Sequence, residues 1–398
     1  MIKGCCILGC LKVGIIGIGN IGTAHAKCIY DGKIKNMRLV ALCDLIDEKL
    51  SFCKQTFKNV NLYKSYNEMF NKESLDAVII STPHKFHVDI AIAALNKDIH
   101  ILVEKPIDIT VTKAKELNEI VLTKNKVFSV MFNQRTNPLY QKAHEIVSSG
   151  QLGELKRNNW IITNWYRTQK YYDSGDWRAT WSGEGGGVLL NQAPHNLDLW
   201  QWICGMPNSI TAFCDENKFH NIQVEDDVTI FARYNNGATG TFITTTGEYP
   251  GTNRLEVSGT LGKIVIENRM LKWWKLKQNE RIYCFEDYFD SSHLEFEYFE
   301  FPQIDAGMAH AGIIQNFADV ILNGGELLSP GIEAINELSI SNAAYLSEWK
   351  GNNNITLPFD NTEFDCLLKE KCSIGSDFKK KSLSTETTEY INRWSTNW

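Results

Sequence analysis

Asn191 and His195 stand four residues apart in GGGVLLNQAPHNLDLW, the segment from Gly185 to Trp200. An imidazole takes up a proton near neutral pH. An amide holds a hydroxyl through donor and acceptor alike but cannot take its proton. On one continuous helix this spacing places both side chains on the same face. Pro194 lacks an N–H, so the helix either begins near Asn191 or bends there. The three preceding glycines let this helix end approach a neighbouring group closely. A third polar candidate is Lys105, in Glu104-Lys105-Pro106 at the end of an apolar run. By itself such a lysine reads better as a loop residue in solvent.

A second constellation lies near the N-terminus. GIGNIGTAH (17–25) contains Gly17-x-Gly19-x-x-Gly22, with Asn20 and Ile21 in the first turn of the helix that it opens. Glycines here permit a tight turn and close backbone approach to a pyrophosphate at the positive helix end. Asp44 follows 22 residues after Gly22 and ends the next apolar run. Its carboxylate suits the ribose hydroxyls of an adenosine and repels a 2′-phosphate, which favours NAD over NADP. Ser81-Thr82-Pro83-His84 and Glu104-Lys105 close two further runs, at the sheet edge where open α/β folds bind ligands. The alternative is an α/β fold without a cofactor; strand, helix and acid at the right distances argue against it.

Strands that position these residues are expected over 12–17, 38–44, 76–82, 100–104 and 127–132, with helices over Asn20–Tyr30, Phe86–Leu95 and Val111–Lys124 between them. That alternation predicts a parallel sheet covered on both faces. After Arg135 the pattern changes. A helix over Pro138–Ser149 is followed by β-type runs at 158–166, 227–235, 238–246 and 254–260, with turn signals at 235–239 and 260–263. A helix is expected over Ile332–Glu348, and a polar, lysine-rich tail that wraps or dangles beyond Pro358.

The chain has 398 residues, too many for one ordinary core, so two domains are expected, 1–133 and 134–398. The net charge of −6 gives no support to nucleic-acid binding, and no apolar run is long enough to cross a bilayer. Residues 1–10 lack a small-residue cleavage site and read as an extension ahead of the first strand. Eleven cysteines without a CxxC pair, among them Cys28, Cys43, Cys53 and Cys204 in apolar segments, fit small hydrophobes in a reducing cytoplasm. No spacing of histidines or cysteines supports a metal site.

GIGNIGTAH, Cys43-Asp44, STPHKFH (81–87), EKP and GGGVLLNQAPHNLD together resemble the glucose–fructose oxidoreductase and inositol dehydrogenase family (Gfo/Idh/MocA) over residues 11–350. The resemblance implies an N-terminal Rossmann domain and a C-terminal α+β domain whose mostly antiparallel open sheet mediates a homo-oligomer, dimer or tetramer. It also implies hydride transfer between a nicotinamide and a secondary alcohol of a sugar or cyclic polyol. Family members commonly pair the EKP lysine with Asp-x3-His; Lys105 and His195 match, whereas Asn191 stands where aspartate is most common. The base role then falls to His195, with Lys105 lowering the energy of the alkoxide or relaying a proton, and the triple glycine is expected to let this helix end approach the nicotinamide.

Within the family a redox-assisted glycosidase and a non-catalytic sugar- or NAD-sensing regulator are the alternatives. His25 and His87 read as packing or hydrogen-bonding residues. Asp198 either makes a buried structural contact or orients His195. Asn133 and Arg135 line the cleft or join the domains. Six of the eleven tryptophans fall between 160 and 202. Tyr171, Tyr172, Trp177, Arg178 and Trp181 lie there in a loop-like segment suited to a sugar ring, and with Arg135 complete the expected substrate contacts.

Overall fold

The structure, a computed structural model, describes residues 9–305 and 307–374. The expected N-terminal extension thus lies almost wholly outside the described residues, as does the tail beyond residue 374. Six strands form the first sheet: β1 (Leu11–Ile16), β2 (Met37–Cys43), β3 (Asn61–Tyr63), β4 (Ala77–Ile80), β5 (His100–Val103) and β6 (Phe128–Val130). All pairings are parallel, in the order β3-β2-β1-β4-β5-β6. Five helices connect them: α1 (Asn20–Tyr30), α2 (Asp47–Thr56), α3 (Tyr66–Lys72), α4 (His87–Leu95) and α5 (Val111–Leu122).

Strand side chains alternate between faces, and here both faces are dry. Ala77 and Ile79 of β4 share a core with Ala26 and Ile29 of α1. Val78 and Ile80 share the opposite core with Ala91 and Leu95 of α4 and Leu117 of α5. This double burial is why the strands read as continuous apolar runs.

The chain then forms α6 (Pro138–Ser148), β7 (Leu155–Ile162), α7 (Gln169–Tyr172), α8 (Val188–Asn191) and α9 (Pro194–Cys204). Strands β8 (Ser209–Glu216), β9 (Glu225–Arg233), β10 (Thr239–Thr245), β11 (Asn253–Gly259), β12 (Gly262–Glu267) and β13 (Met270–Leu276) follow. After α10 (Glu280–Tyr283) come β14 (Phe296–Pro302), α11 (Ala309–Asn323), α12 (Ala334–Trp349), β15 (Ile355–Thr356) and α13 (Asn361–Ile374). The nine strands from β7 to β15 make one sheet, ordered β14-β13-β12-β11-β7-β10-β9-β8-β15. Only β7 and β10 run parallel. Both expected turns are present: Gly237 donates to Tyr234 O at 2.9 Å between β9 and β10, and Thr260-Leu261 joins β11 to β12.

One face of this sheet packs on helices, with Ile230, Phe242 and Val257 against Trp200 of α9 and Leu338 of α12. The other face is open and carries Phe213, 54% exposed, and Phe231, 37% exposed. Helix α11 returns to the N-terminal unit, where Ile313, Ile314 and Phe317 cover Val13 and Ile15. As far as residue 374 the segment after Pro358 wraps: Phe364 of α13 stacks on Trp349 at 5.4 Å. Among the described residues no helix is long and apolar enough to cross a membrane.

Candidate active site

The turn after β1 is shaped by its glycines. Gly17 has φ +88°, and a Cβ there would lie 2.6 Å from Ser81 O. A Cβ on Gly22 would run into Gly17 O, so α1 sits directly against the turn that it follows. Gly19, at the N-cap of α1, has open space where its Cβ would be, a cradle at the positive end of an eleven-residue helix. Asp44 closes β2, and its carboxylate accepts from Ile18 N at 2.7 Å, Ile46 N at 3.0 Å and Lys49 Nζ at 3.1 Å. The acid is therefore bound to the glycine turn itself. Ser81 Oγ donates to Gly17 O at 3.0 Å, and Thr82 Oγ1 is buried without a partner at the same edge. An open cradle, a fixed carboxylate and an orphaned hydroxyl together fit a dinucleotide.

Two histidines expected near this edge serve the framework. His87 lies between Thr82 O at 2.7 Å and Pro106 O at 2.8 Å, tying the loops after β4 and β5 together. His84 was expected to bind cofactor. It is buried, with Nδ1 3.2 Å from Glu184 O and its ring edge-on to Trp177.

Lys105 leaves the end of β5 and donates from Nζ to the backbone oxygen of Asn191 at 2.7 Å. Burial lowers its pKa, an effect opposed by Glu104, Glu337 and Glu184. The Glu104 carboxyl is pushed up by burial, but the bond to His25 Nε2 at 2.7 Å and the charge on that ring hold it down at about 2. His195 lies in the first turn of α9 with Nδ1 buried and unpartnered. Burial, then the charges on Lys105 and His310, push its pKa well below the ordinary histidine value, so the ring is neutral at pH 7.

The sequence reading changes here in two respects. Asn191 and His195 do not share one helix: α8 ends at Asn191, and Pro194 begins α9 after a break at Gln192-Ala193. The three glycines do not open a path to a nicotinamide either. Side chains there would strike Ile109 from Gly185, Tyr345 from Gly186 and Glu225 from Gly187. Their absence lets the buried Glu225 carboxyl group, its pKa pushed up to about 8 by burial, accept from Gly187 N at 2.8 Å and Leu189 N at 2.9 Å, capping α8 in the manner of an N-cap acid.

Arg135, expected among the substrate contacts, is 1% exposed and its guanidinium is held by carboxylates. It donates to Asp198 from Nε at 2.9 Å and from Nη2 at 2.6 Å, and to Glu333 at 2.7 Å. Asp198 is thus a structural partner of Arg135 and does not orient His195. Tyr172 and Trp181 also leave the expected substrate set. Tyr172 is buried with its hydroxyl on Thr246 at 2.7 Å, and Trp181 packs edge-on against Tyr345 and Trp349. Tyr171, Trp177 and Arg178 do come together. Arg178 lies 4.8 Å from the Tyr171 ring and 4.6 Å from the Trp177 ring, and the Tyr171 hydroxyl lies 3.5 Å from Asn191 Oδ1.

Two site residues had no signal in the sequence. Glu184 is buried in the loop before α8, where it accepts from Ala179 N at 2.6 Å and from the Asn191 amide. His310, at the start of α11, brings its ring 5.5 Å from His25, with Nδ1 3.4 Å from Asn133 Nδ2. Burial lowers its pKa to about 4.

Fold and site define an NAD-binding protein of the two-domain oxidoreductase class. Residues 11–132 match the oxidoreductase family with an NAD-binding Rossmann fold, and residues 140–265 match the GFO/IDH/MocA C-terminal domain. The chain belongs to the Gfo/Idh/MocA oxidoreductase family. It is 28% identical over 185 residues to an uncharacterised oxidoreductase of Schizosaccharomyces pombe, covering 46% of this chain and 49% of that one. It is 26% identical over 230 residues to levoglucosan dehydrogenase of Pseudarthrobacter phenanthrenivorans, covering 52% and 58%. The chain thus spans about half the length of these curated relatives. Its fold is shared with the WlbA dehydrogenase of Bordetella pertussis, crystallised with NADH and UDP-GlcNAcA. There the TM-score is 0.73 at 23% identity, over 88% of this chain and 99% of that one.

Proposed function

We propose that this protein is a dehydrogenase that uses NAD to oxidise a secondary ring hydroxyl of a sugar, glycoside or inositol, with position 3 of a pyranoside the first candidate. The observation that carries this reading is the meeting of Lys105 Nζ with the last carbonyl of α8, within electrostatic reach of the neutral His195, whose Nδ1 is unpartnered. Gly17, Gly19, Gly22, Asp44, Ser81 and Thr82 would hold NAD, which supplies the hydride acceptor. His195 accepts the hydroxyl proton, and the Lys105 ammonium stabilises the oxygen as charge builds on it.

Asn191 acts beside the reaction. Its amide nitrogen is engaged by Glu184, so Oδ1 is the atom offered to substrate. One hydroxyl hydrogen cannot serve both His195 and Asn191, so Oδ1 takes the hydroxyl next to the reacting one. Adjacent ring hydroxyls meet that demand, and the faces of Tyr171 and Trp177 suit the C–H side of the ring. The levoglucosan dehydrogenase relative and the UDP-GlcNAcA complex of the structural neighbour support a carbohydrate substrate. A cytoplasmic location and a homo-oligomer joined through the open sheet face belong to the same reading. The nine described cysteines, all free, and the exposed Phe213 and Phe231 support them.

Purified protein with NAD and a panel of methyl β-D-glucopyranoside, levoglucosan and myo-inositol should form NADH, read by absorbance. Turnover confined to linear 2-hydroxy acids or amino acids contradicts the proposal. Release of the aglycone with NAD recovered unchanged would identify a redox-assisted glycosidase, and NAD binding without turnover a regulator.

Cofactor choice gives a second expected result. In titrations of tryptophan fluorescence NAD should bind roughly tenfold or more tighter than NADP, since about 1.4 kcal/mol of like-charge repulsion at Asp44 suffices. Asp44→Ala should narrow the gap. Equal affinities in the unaltered protein would remove Asp44 from this role.

A further inference from the structure

Between Trp177 and Gly187 the chain makes a compact loop whose one acid is turned inward. Glu184 is 1% exposed, and Ala179 N donates to its Oε2 at 2.6 Å. Ala179 reaches that position with φ +50°, and a Cβ on Gly183 would strike Trp177 O, so the loop is built tightly around the acid. The other oxygen, Oε1, accepts from Asn191 Nδ2, and the residue's own carbonyl lies 3.2 Å from His84 Nδ1. Burying a carboxylate is costly unless its bonds are tightly matched. The amide opposite it must present nitrogen to the carboxylate and therefore oxygen to the other side, where the Tyr171 hydroxyl lies 3.5 Å away.

We propose that Glu184 is the positioning residue of this active site: its carboxylate fixes the Asn191 amide with Oδ1 toward substrate and supplies, one hydrogen bond further back, the negative charge that an aspartate at position 191 would carry. The inference rests on the dehydrogenase reading for its kinetic consequences, and on geometry alone for its electrostatic ones. Glu184, Lys105, Tyr171 and Arg178 are the charged and titratable groups around Asn191. His195, His84, Glu104 and Glu337 are within electrostatic reach through Lys105, and Tyr172 through Glu184. With asparagine at 191, Lys105 faces one nearby carboxylate from this loop. With aspartate there, two carboxylates meet across a bond that no longer has a donor, and they must share a proton.

Three variants of the full chain test this: Glu184→Gln, Asn191→Asp and the double variant Glu184→Gln/Asn191→Asp. The first readout is Tm against pH, which needs no substrate. In Asn191→Asp the shared proton raises a carboxyl pKa above its unfolded value, so stability is lost as pH rises from about 5 to 8. A fall of several degrees in Tm beyond that of the unaltered protein is expected. The double variant should regain the unaltered profile, because the amide introduced at position 184 can donate to the carboxylate introduced at position 191. The second readout is kcat/KM with NAD and whichever panel substrate turns over. Glu184→Gln should lose roughly tenfold, mostly in kcat, and the double variant should recover most of it. NADH affinity by fluorescence should stay unchanged in all three.

An Asn191→Asp profile that follows the unaltered protein, or a double variant no better than Asn191→Asp, overturns the proposal. So does a Glu184→Gln enzyme with unaltered kcat. If no panel substrate turns over, the dehydrogenase reading fails while the Tm comparison still decides this one.

Discussion

His195→Ala is expected to lower kcat for alcohol oxidation by roughly 10²-fold or more, the usual cost of losing a general base, with NAD affinity unchanged. His195 lies in the first turn of α9 with Nδ1 buried and unpartnered, and Asn191 cannot replace it because an amide takes no proton. The pH dependence follows from the direction of the shift. Burial and the charges on Lys105 and His310 lower the imidazole pKa, so the neutral, proton-accepting form persists well below pH 6.5. In the unaltered enzyme, oxidation should therefore show no loss from this group near neutrality and should fall only in more acid solution. Asn191→Ala should cost far less than His195→Ala in kcat. The opposite ranking would move the base role to Lys105, whose pKa burial also lowers.

Arg135→Met is expected to destabilise the protein by about 3–5 kcal/mol, the cost of leaving one member of a buried ion pair alone. Both Arg135 and Asp198 are almost fully buried, and two bonds join them at 2.6 and 2.9 Å. Glu333 adds little, being 40% exposed on its side chain. Arg135 also donates to Leu328 O at 3.3 Å, so one side chain links the end of the first sheet to α9 and to the segment before α12. Replacing the partner as well, in Arg135→Met/Asp198→Leu, should return much of the loss. Chemical denaturation of the three proteins reads this directly. An Arg135→Met protein of unaltered stability but raised KM would restore Arg135 to the substrate site.

What the sequence made legible follows from burial. Strands β1, β2, β4, β5 and β6 were visible because each is dry on both faces, and α1 was bounded from Asn20 to Tyr30 as observed. The segment between Asp44 and Asp76 was not resolved into elements. Strand β3 is a three-residue edge with no fully buried residue, and α2 buries only Cys53. Neither leaves enough periodic signal to detect.

In the site, Gly17 and Asp44 are legible because a tight turn and a ribose demand those residue types there, whereas Lys105 and His195 are singled out by the family resemblance. Glu184 was not, since its meaning lies in a contact with Asn191 across a folded loop. His310 reaches His25 only because α11 crosses back over the first sheet, a long-range packing choice that local pattern does not encode. The triple glycine does mark a close approach, but not to a nicotinamide. What comes close is the protein's own Glu225 and Tyr345.

The most direct measurement follows a labelled atom. The panel substrate that turns over is prepared with deuterium on the ring carbon to be oxidised, incubated with NAD, and the products are weighed by mass spectrometry. Oxidation at the Lys105–His195 site predicts one deuterium in the NADH and an unlabelled ketone at that carbon, with any glycosidic bond intact. NADH without deuterium, a cleaved glycoside with NAD returned unchanged, or no reaction with any ring alcohol would contradict it.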